Sequence, residues 1–528
     1  MPKPSWSGDV SRKIVRHIVV EADLVLQTPA HFGSGDGDEL VDMPLLVDPR
    51  DEKTPLLTGA SIAGALRGYL HEHEYGFRAK VNKRANARTS PIVLLFGGNS
   101  GYEYGEQSPL IVEDARGKNF ILGKDAAIEL RDGVGLAGKS HTADHDKLFN
   151  IEMWEAGTTF PLRFELIVRQ QDNPLALKRA LATALAGFNN GSITIGARKR
   201  RGYGQVSVTG WRIEEYDLTK TAQLLDWIAN GANELSSPAN PDIVQATGVG
   251  KKRDDHRKAF CLKAEFSLDG SLLIRSGSGP DIEPGTLQTP ADDPNIQRPD
   301  FIHLHSARPT PQGTRKQPIL SGTSLSGALR ARALKIARLI ALSAEEGEQK
   351  ACDLIDSMFG ANLKNVPVEA EMENVPEPKA SRITVYEHEV SGVAEKEHTS
   401  VQNRVSIDRF TGGTRDGALF NEQPLFGGEE SVVIVDLQLA NPQEYEIGLL
   451  LLLLKDLWTG DLPLGGEISV GRGRLRGKSC HLEYRNGQVL AWNLFANGDN
   501  GLRVEGDKPQ DLENYVAKLH THLGGSES

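Results

Sequence analysis

Two stretches of the chain repeat one pattern of phosphate-seeking residues. Gly59 to Arg67 reads GASIAGALR and Gly322 to Arg330 reads GTSLSGALR, so both follow Gly-x-Ser-x-x-Gly-Ala-Leu-Arg. Ser61 and Ser324 are candidate helix caps, and the free N–H groups of a helix start attract phosphate. Gly64 and Gly327, one turn further on, leave room for a close ligand, and Arg67 and Arg330 project from the same helices. A carboxylate-bearing loop precedes each motif. The first holds Asp36, Asp38, Asp42 and Asp48, the second Asp281, Asp292, Asp293 and Asp300. Beside a bound phosphate such an Asp could hold a divalent cation or position a nucleophile; elsewhere it caps a turn or faces water. Composition alone does not choose among them.

Basic clusters follow the same duplication. GARKRRGYGQ carries Arg198, Lys199, Arg200 and Arg201 among Gly196, Gly202 and Gly204, and GRGRLRGK carries Arg472, Arg474, Arg476 and Lys478 among Gly471, Gly473 and Gly477. Gly lets backbone approach a phosphate closely, and Arg offers it a fork of donors. One such loop is as well explained by a turn with solvated arginines. Two, at one place in a repeated unit, favour RNA or phosphate binding. RAKVNKRANAR, with Arg78, Lys83 and Arg84, adds a basic run after the first motif; Arg332, Lys335 and Arg338 do so on the second. Binding along such a stripe weakens steeply with salt. No His, Ser and Asp set has triad spacing, and no HExxH, Walker A or dinucleotide loop occurs. A metabolic enzyme is left without support.

The elements that must position these residues also come twice. Each half runs strand, Gly-rich loop, Asp-bearing loop and motif helix, and ends in an apolar helix, a turn and a Gly/Arg loop entering a strand. Ile195-Gly196 is matched here to Val470-Gly471. Strand, helix, strands, helix and strand predict an α+β fold with a ferredoxin-like βαββαβ core in each half, the surplus being insertions. The expected divisions are 1–215, a linker at 216–259, a second domain at 260–490 and an extension at 491–528. The 528 residues exceed one ordinary core, and a net charge of −11 counts against a nucleic-acid binder until the local basic patches are seen. Three scattered Cys, no apolar leader in MPKPSWSGDVSRK and no apolar run longer than Ile447–Leu454 predict a cytoplasmic protein without disulfides or membrane spans.

Taken together, these residues resemble the RAMP superfamily of CRISPR–Cas proteins, specifically the backbone subunits of type III effector complexes. HFGSGDGDELVDMPLLVDPRDEKTPLLTGASIAGALRGYL is similar to that family's first strand, loop and helix. LFGG at Leu95 and MFGA at Met358 are similar to its Phe-Gly stretch, and QNRVSIDRFTGGTRDGALFNEQPLF resembles its thumb hairpin, with Arg404 and Arg409. RDGVGLAGKSHTADHDKLFNIEMWEAG is the first-half counterpart. Two units on one chain resemble the fused double subunit of type III-D-like systems. The resemblance implies tandem RRM-like domains with thumb insertions, binding of CRISPR RNA along a palm, and stacking with other effector subunits into a filament. It implies RNA contacts at Ser61, Arg67, Arg78, Lys83, Arg84, Arg198, Arg200, Arg201, Ser324, Arg330, Arg404, Arg409, Arg472 and Arg474. It also implies cleavage of target RNA with a divalent cation, Mg2+ or Mn2+, by the loop Asp before each motif. Asp42 in LVDMPLLVDP fits that pattern. Asp300 in RPDFIHLH stands at a similar place but lacks the following Pro and Asp-Pro. A non-catalytic scaffold and a metal-free repeat-processing endonuclease are the alternatives.

Overall fold

The computed structural model describes residues 13–35, 43–79, 90–98, 107–118, 128–136, 143–231, 233–250, 253–277, 299–310, 313–361, 379–393, 401–498 and 501–524. Asp42, Lys83 and Arg84, with Asp36, Asp38, Asp281, Asp292 and Asp293, lie outside the described residues.

The first half begins with β1 (Ile14–Leu26), where Ile18, Val20, Ala22, Leu24 and Leu26 alternate into the core. Then come α1 (Gly59–Tyr75), α2 (Pro91–Phe96) and β2 (Leu110–Val112). A long hairpin of β3 (Ile128–Leu136) and β4 (Ala143–Trp154) leads to β5 (Thr159–Arg169), α3 (Pro174–Asn189) and β6 (Val206–Asp217). Asn173 caps α3 by accepting from the Ala176 N–H at 3.1 Å, and Pro174 fits the first helical position, where no N–H is needed. Leu177, Ala180, Leu181, Ala184, Leu185 and Phe188 recur at helical spacing and bury against the sheet, as do Ile62, Leu66 and Leu70 of α1. The antiparallel sheet has the order β2-β5-β1-β6. After it, α4 (Thr221–Asn230) and α5 (Ile243–Thr247) stay with this half; Ile243 and Val244 enter its core.

The second half repeats the plan. β7 (Ala259–Leu272) and the short β8 (Phe301–His303) precede α6 (Gly322–Ile340), α7 (Gly347–Phe359) and β9 (Ile383–Val385). A hairpin of β10 (Gln402–Ile407) and β11 (Thr414–Gln423) is followed by β12 (Val432–Ala440), α8 (Glu444–Trp458) and β13 (Arg474–Asn486). The core order is β9-β12-β7-β13, the same as in the first half and that of a ferredoxin-like sheet. The Ile447–Leu454 run is α8, with Ile447, Leu449, Leu450, Leu453 and Leu454 buried. β14 (Gln488–Asn497), β15 (Gly501–Gly506) and α9 (Gln510–Leu523) widen this sheet and pack Leu512, Tyr515 and Leu519 into its core. No described helix is long and apolar enough to cross a membrane.

The halves meet through the Gly/Arg loop of the first. Its Arg200 Nη1 donates to Thr384 Oγ1 at 2.7 Å, and Tyr203 OH lies 3.2 Å from Thr323 Oγ1. A Cβ on Gly322, the first residue of α6, would stand 2.3 Å from the Arg201 carbonyl oxygen, so glycine there is what lets the loop seat. Beside this contact Glu387 is fully buried between Arg131 of β3, at 3.1 and 3.2 Å, and Arg308, at 2.5 Å. Arg131 also pairs with Glu129, whose other oxygen accepts from Ser306 Oγ at 2.8 Å. A closed ion network thus fixes one half on the other.

Candidate nucleic-acid interface

The motif helix of the first half starts against β2. A Cβ on Gly59 would fall 2.1 Å from the Val112 carbonyl oxygen, and Asp114 Oδ1 accepts the Gly59 N–H at 2.7 Å. The cap is Thr58 and not Ser61: Thr58 Oγ1 accepts from the Ser61 N–H at 3.3 Å, and Ser61 stands exposed in the first turn. Ser321 takes the corresponding place on α6, with Ser324 half-buried in its first turn. Arg67 lies half-buried on α1, and Arg78 is exposed just past its end, 5.1 Å from the Phe77 ring.

Between this helix start and the Gly/Arg loop lies a cleft of ≈ 370 Å³ lined by His31, Thr58, Ser61, Gly64, Gly196 and Lys199, among others. The loop is drawn over the end of β1. The Ala197 N–H donates to the His31 carbonyl at 2.9 Å, the Ile195 N–H to Gly204 O at 2.9 Å, and the Gly204 N–H to Pro29 O at 2.9 Å. Gly204 has φ +66° and a Cβ there would be 1.8 Å from Ile195 O, so no other residue fits.

The same bonds recur in the second half and reset the alignment. The Gly466 N–H donates to Leu273 O, the Leu464 N–H to Gly473 O and the Gly473 N–H to Ser271 O; a Cβ on Gly473 would be 1.8 Å from Leu464 O. Ile195-Gly196 therefore matches Leu464-Gly465, and not Val470-Gly471. Glu467 stands where Arg198 does, both left-handed at the start of a 3-10 turn, and Ile468–Val470 replaces Lys199–Arg201. The second loop is apolar and acidic where the first is basic.

The arginines separate accordingly. Arg198 is exposed, 4.4 Å over the Phe149 ring. Arg200 is engaged across the joint. Arg201 is half-buried near Arg198 and Arg330; burial, then those like charges, push its pKa down, so an anion there would relieve repulsion. Arg330 ties α6 to α7 through Asp356 Oδ1 at 2.6 Å and Gly360 O at 2.7 Å. Arg472 is buried, paired with Glu422 and bonded to Gln402 Oε1 at 2.7 Å, which removes it from the surface. Arg404 joins that cluster, 2.8 Å from Glu422 and 3.3 Å from Glu467. These residues anchor the β10–β11 hairpin on the palm. Arg472→Ala is expected to cost roughly 1–3 kcal/mol in denaturant unfolding, because it takes from fully buried Glu422 one of its two arginine partners and leaves Arg404 alone on it; unchanged stability with weaker RNA binding would instead make Arg472 an RNA contact. Arg474 is exposed at the start of β13.

At the hairpin tip, Asp408 Oδ1 accepts the N–H groups of Phe410 and Thr411 at 2.9 and 2.8 Å, which hold its carboxyl below its usual pKa. The turn presents Phe410, 95% exposed, beside exposed Arg409. An aromatic ring and a cation in such a position suit base stacking and phosphate contact.

Of the loop carboxylates, Asp48 is buried under Arg50 and Arg116; hydrogen bonds from Arg50 hold its carboxyl well below the usual range, a structural role. Asp300 is exposed at the root of the second hairpin. Its Oδ2 accepts the Asn421 N–H at 2.7 Å and its own N–H donates to Asn421 O at 2.9 Å, so it bridges to β11. Buried His303 is satisfied by the Ile274 N–H and Ile319 O, and burial pushes its pKa down to about 3.

His31, Phe410 and the Arg131–Glu387 joint stand out only in three dimensions, where a braced ring, an exposed aromatic tip and a buried ion network become visible. The glycine spacing that aligns the loops was visible: Gly196, Gly202 and Gly204 repeat as Gly465, Gly471 and Gly473.

The RAMP superfamily model matches residues 23–207 and 270–476, nearly three quarters of the chain, and the two matched regions are the two ferredoxin-like halves. No curated protein matches the chain. With one match on each half, the chain belongs to the RAMP superfamily, and so to the RNA-binding CRISPR-associated proteins, as a tandem of two RAMP units.

Proposed function

We propose that the chain is a tandem backbone subunit of a type III CRISPR RNA-guided effector complex that binds CRISPR RNA across its palms and cleaves complementary target RNA. The observation that carries this reading is the first-half cleft, where a helix start, Lys199 and glycine-lined backbone face one another beside a joint rich in arginine. The joint supports the filament. It is heterologous, the loop of one unit seated on the motif helix of the next, so other effector subunits can continue it at either end.

Asp42 is the proposed catalytic residue. In target RNA the 2′-oxygen attacks the adjacent phosphorus, the 5′-oxygen leaves with a proton, and a 2′,3′-cyclic phosphate remains. An extruded base, as Phe410 could produce by stacking, frees the sugar to align these atoms. A divalent cation, Mg2+ or Mn2+, would be held by Asp42 with phosphate oxygens and would supply charge neutralisation at phosphorus. Among the described residues no three His, Cys, Asp or Glu side chains converge, and Asp300 offers one carboxylate already tied to Asn421. Because Asp300 is engaged by the Asn421 N–H at the hairpin root, no step is assigned to it.

The test is reconstitution with CRISPR RNA and labelled complementary RNA in Mg2+. Cuts ending in 2′,3′-cyclic phosphate that vanish with EDTA are expected. An intact target would leave the scaffold reading. Cutting that persists in EDTA would point to the metal-free processing class.

A further inference from the structure

We propose that His31 reads the ribose 2′-hydroxyl of RNA bound in the first-half cleft, and that the second half lacks this reader. The inference rests on the RNA-binding reading above and goes beyond it in naming the group recognised and the atom that recognises it.

His31 is 3% exposed and lines the cleft. Its Nδ1 lies 2.8 Å from the Glu152 carbonyl oxygen. A carbonyl only accepts, so Nδ1 carries the proton, and in the neutral ring Nε2 presents a bare lone pair. Nε2 has no hydrogen-bond partner among the described residues. Gly33 keeps it open: a Cβ at that position would stand 2.9 Å from Nε2. The backbone on either side of this bond is braced too, since Ala30 and Trp154 exchange hydrogen bonds at 3.1 and 2.9 Å. A nearly buried, oriented acceptor aimed into a cleft calls for a donor from the ligand. Along a nucleic-acid backbone the phosphates only accept; the 2′-hydroxyl is the group that donates, and it is what separates RNA from DNA.

The aligned halves make the contrast. His31 falls opposite Leu273, Gly33 opposite Arg275 and Lys199 opposite Ile468, by the shared loop hydrogen bonds. The second palm thus has an apolar side chain in place of the acceptor and an arginine in place of the glycine beside it.

Fluorescence anisotropy with a short RNA and the DNA of the same base sequence, both carrying uracil, tests this on the full chain. Wild type is expected to prefer RNA. His31→Leu, the residue of the second half, should weaken RNA binding about 5- to 10-fold and leave DNA binding unchanged. Gly33→Ala should do the same with the histidine still present, and a thermal melt confirms that both variants fold. Equal losses on RNA and DNA would make His31 a phosphate contact and overturn the proposal, as would no loss on either. A wild type that binds neither nucleic acid would overturn the RNA-binding reading itself and this inference with it.

Discussion

Asp42→Ala is expected to lower target cleavage at the site served by the first half by at least about 100-fold, while guide binding and assembly persist. A carboxylate that helps to stabilise charge developing at phosphorus acts mainly in the transition state, and losing such a group costs about that much in rate. Guide binding rests on the basic and glycine-lined parts of the palm, so losing this one carboxylate leaves it in place. The readout is therefore a split: a product band missing on a denaturing gel, and an unchanged shift on a native one. Asp300→Ala is expected to behave differently. Its carboxylate holds the Asn421 N–H at the root of the β10–β11 hairpin, so its loss loosens that hairpin without erasing a band. Asp42→Ala cutting at the wild-type rate would remove Asp42 from the chemistry. A band lost with Asp300→Ala would restore a second active half.

Glu387→Leu is expected to destabilise the chain by roughly 3–5 kcal/mol, the cost of breaking a buried charge network from one side. Glu387 has no exposed side-chain surface, and its loss leaves Arg131, itself 4% exposed, facing Arg308 without the shared carboxylate. Burial alone would raise the pKa of Glu387; Arg131 and Arg308 outweigh it and hold the carboxyl below its ordinary 4.5. The stabilisation is therefore fully present above about pH 4.5 and is lost as the pH falls through the lower folded value. Arg131→Met with Arg308→Met, Glu387→Leu and Glu129→Gln removes every charge of the network, Glu129 included because it pairs with Arg131, and should recover much of the loss. Denaturant unfolding of the single and quadruple variants checks this, and equal destabilisation in both would mean that the network contributes packing and no electrostatic coupling.

Much of the fold was legible because duplication leaves a strong trace. The two GxSxxGALR runs sit at the starts of α1 and α6, the Ile447–Leu454 run is the buried face of α8, and both sheets have the expected ferredoxin-like order. Charge was a poorer guide. Arg200, Arg330 and Arg472 look alike in sequence, yet one spans the joint, one ties two helices and one is buried in the hairpin anchor, because their carboxylate and hydroxyl partners lie far along the chain. Alignment of the Gly/Arg loops on Arg misplaces them because the constraint is on Gly: backbone with positive φ and no space for a Cβ fixes the register, and the residues between are free to differ. The N-cap fell three residues before the serine of the motif, since an extended residue must precede the glycine packed on β2. His31 opens the HFGSGDGDEL stretch, but nothing in that sequence marks its role. It becomes visible only when its ring is seen braced at one nitrogen and open at the other.

Ultraviolet crosslinking of RNA to the full chain, with the crosslinked peptides mapped by mass spectrometry, addresses the two-palm arrangement itself. Crosslinks are expected in 31–33, 58–65 and 195–201 of the first half and at 404–410 on the second hairpin, fading together as salt rises. Crosslinks confined to the α4–α5 face or to the β14–α9 face, with the cleft and the hairpin tip unmarked, would contradict it.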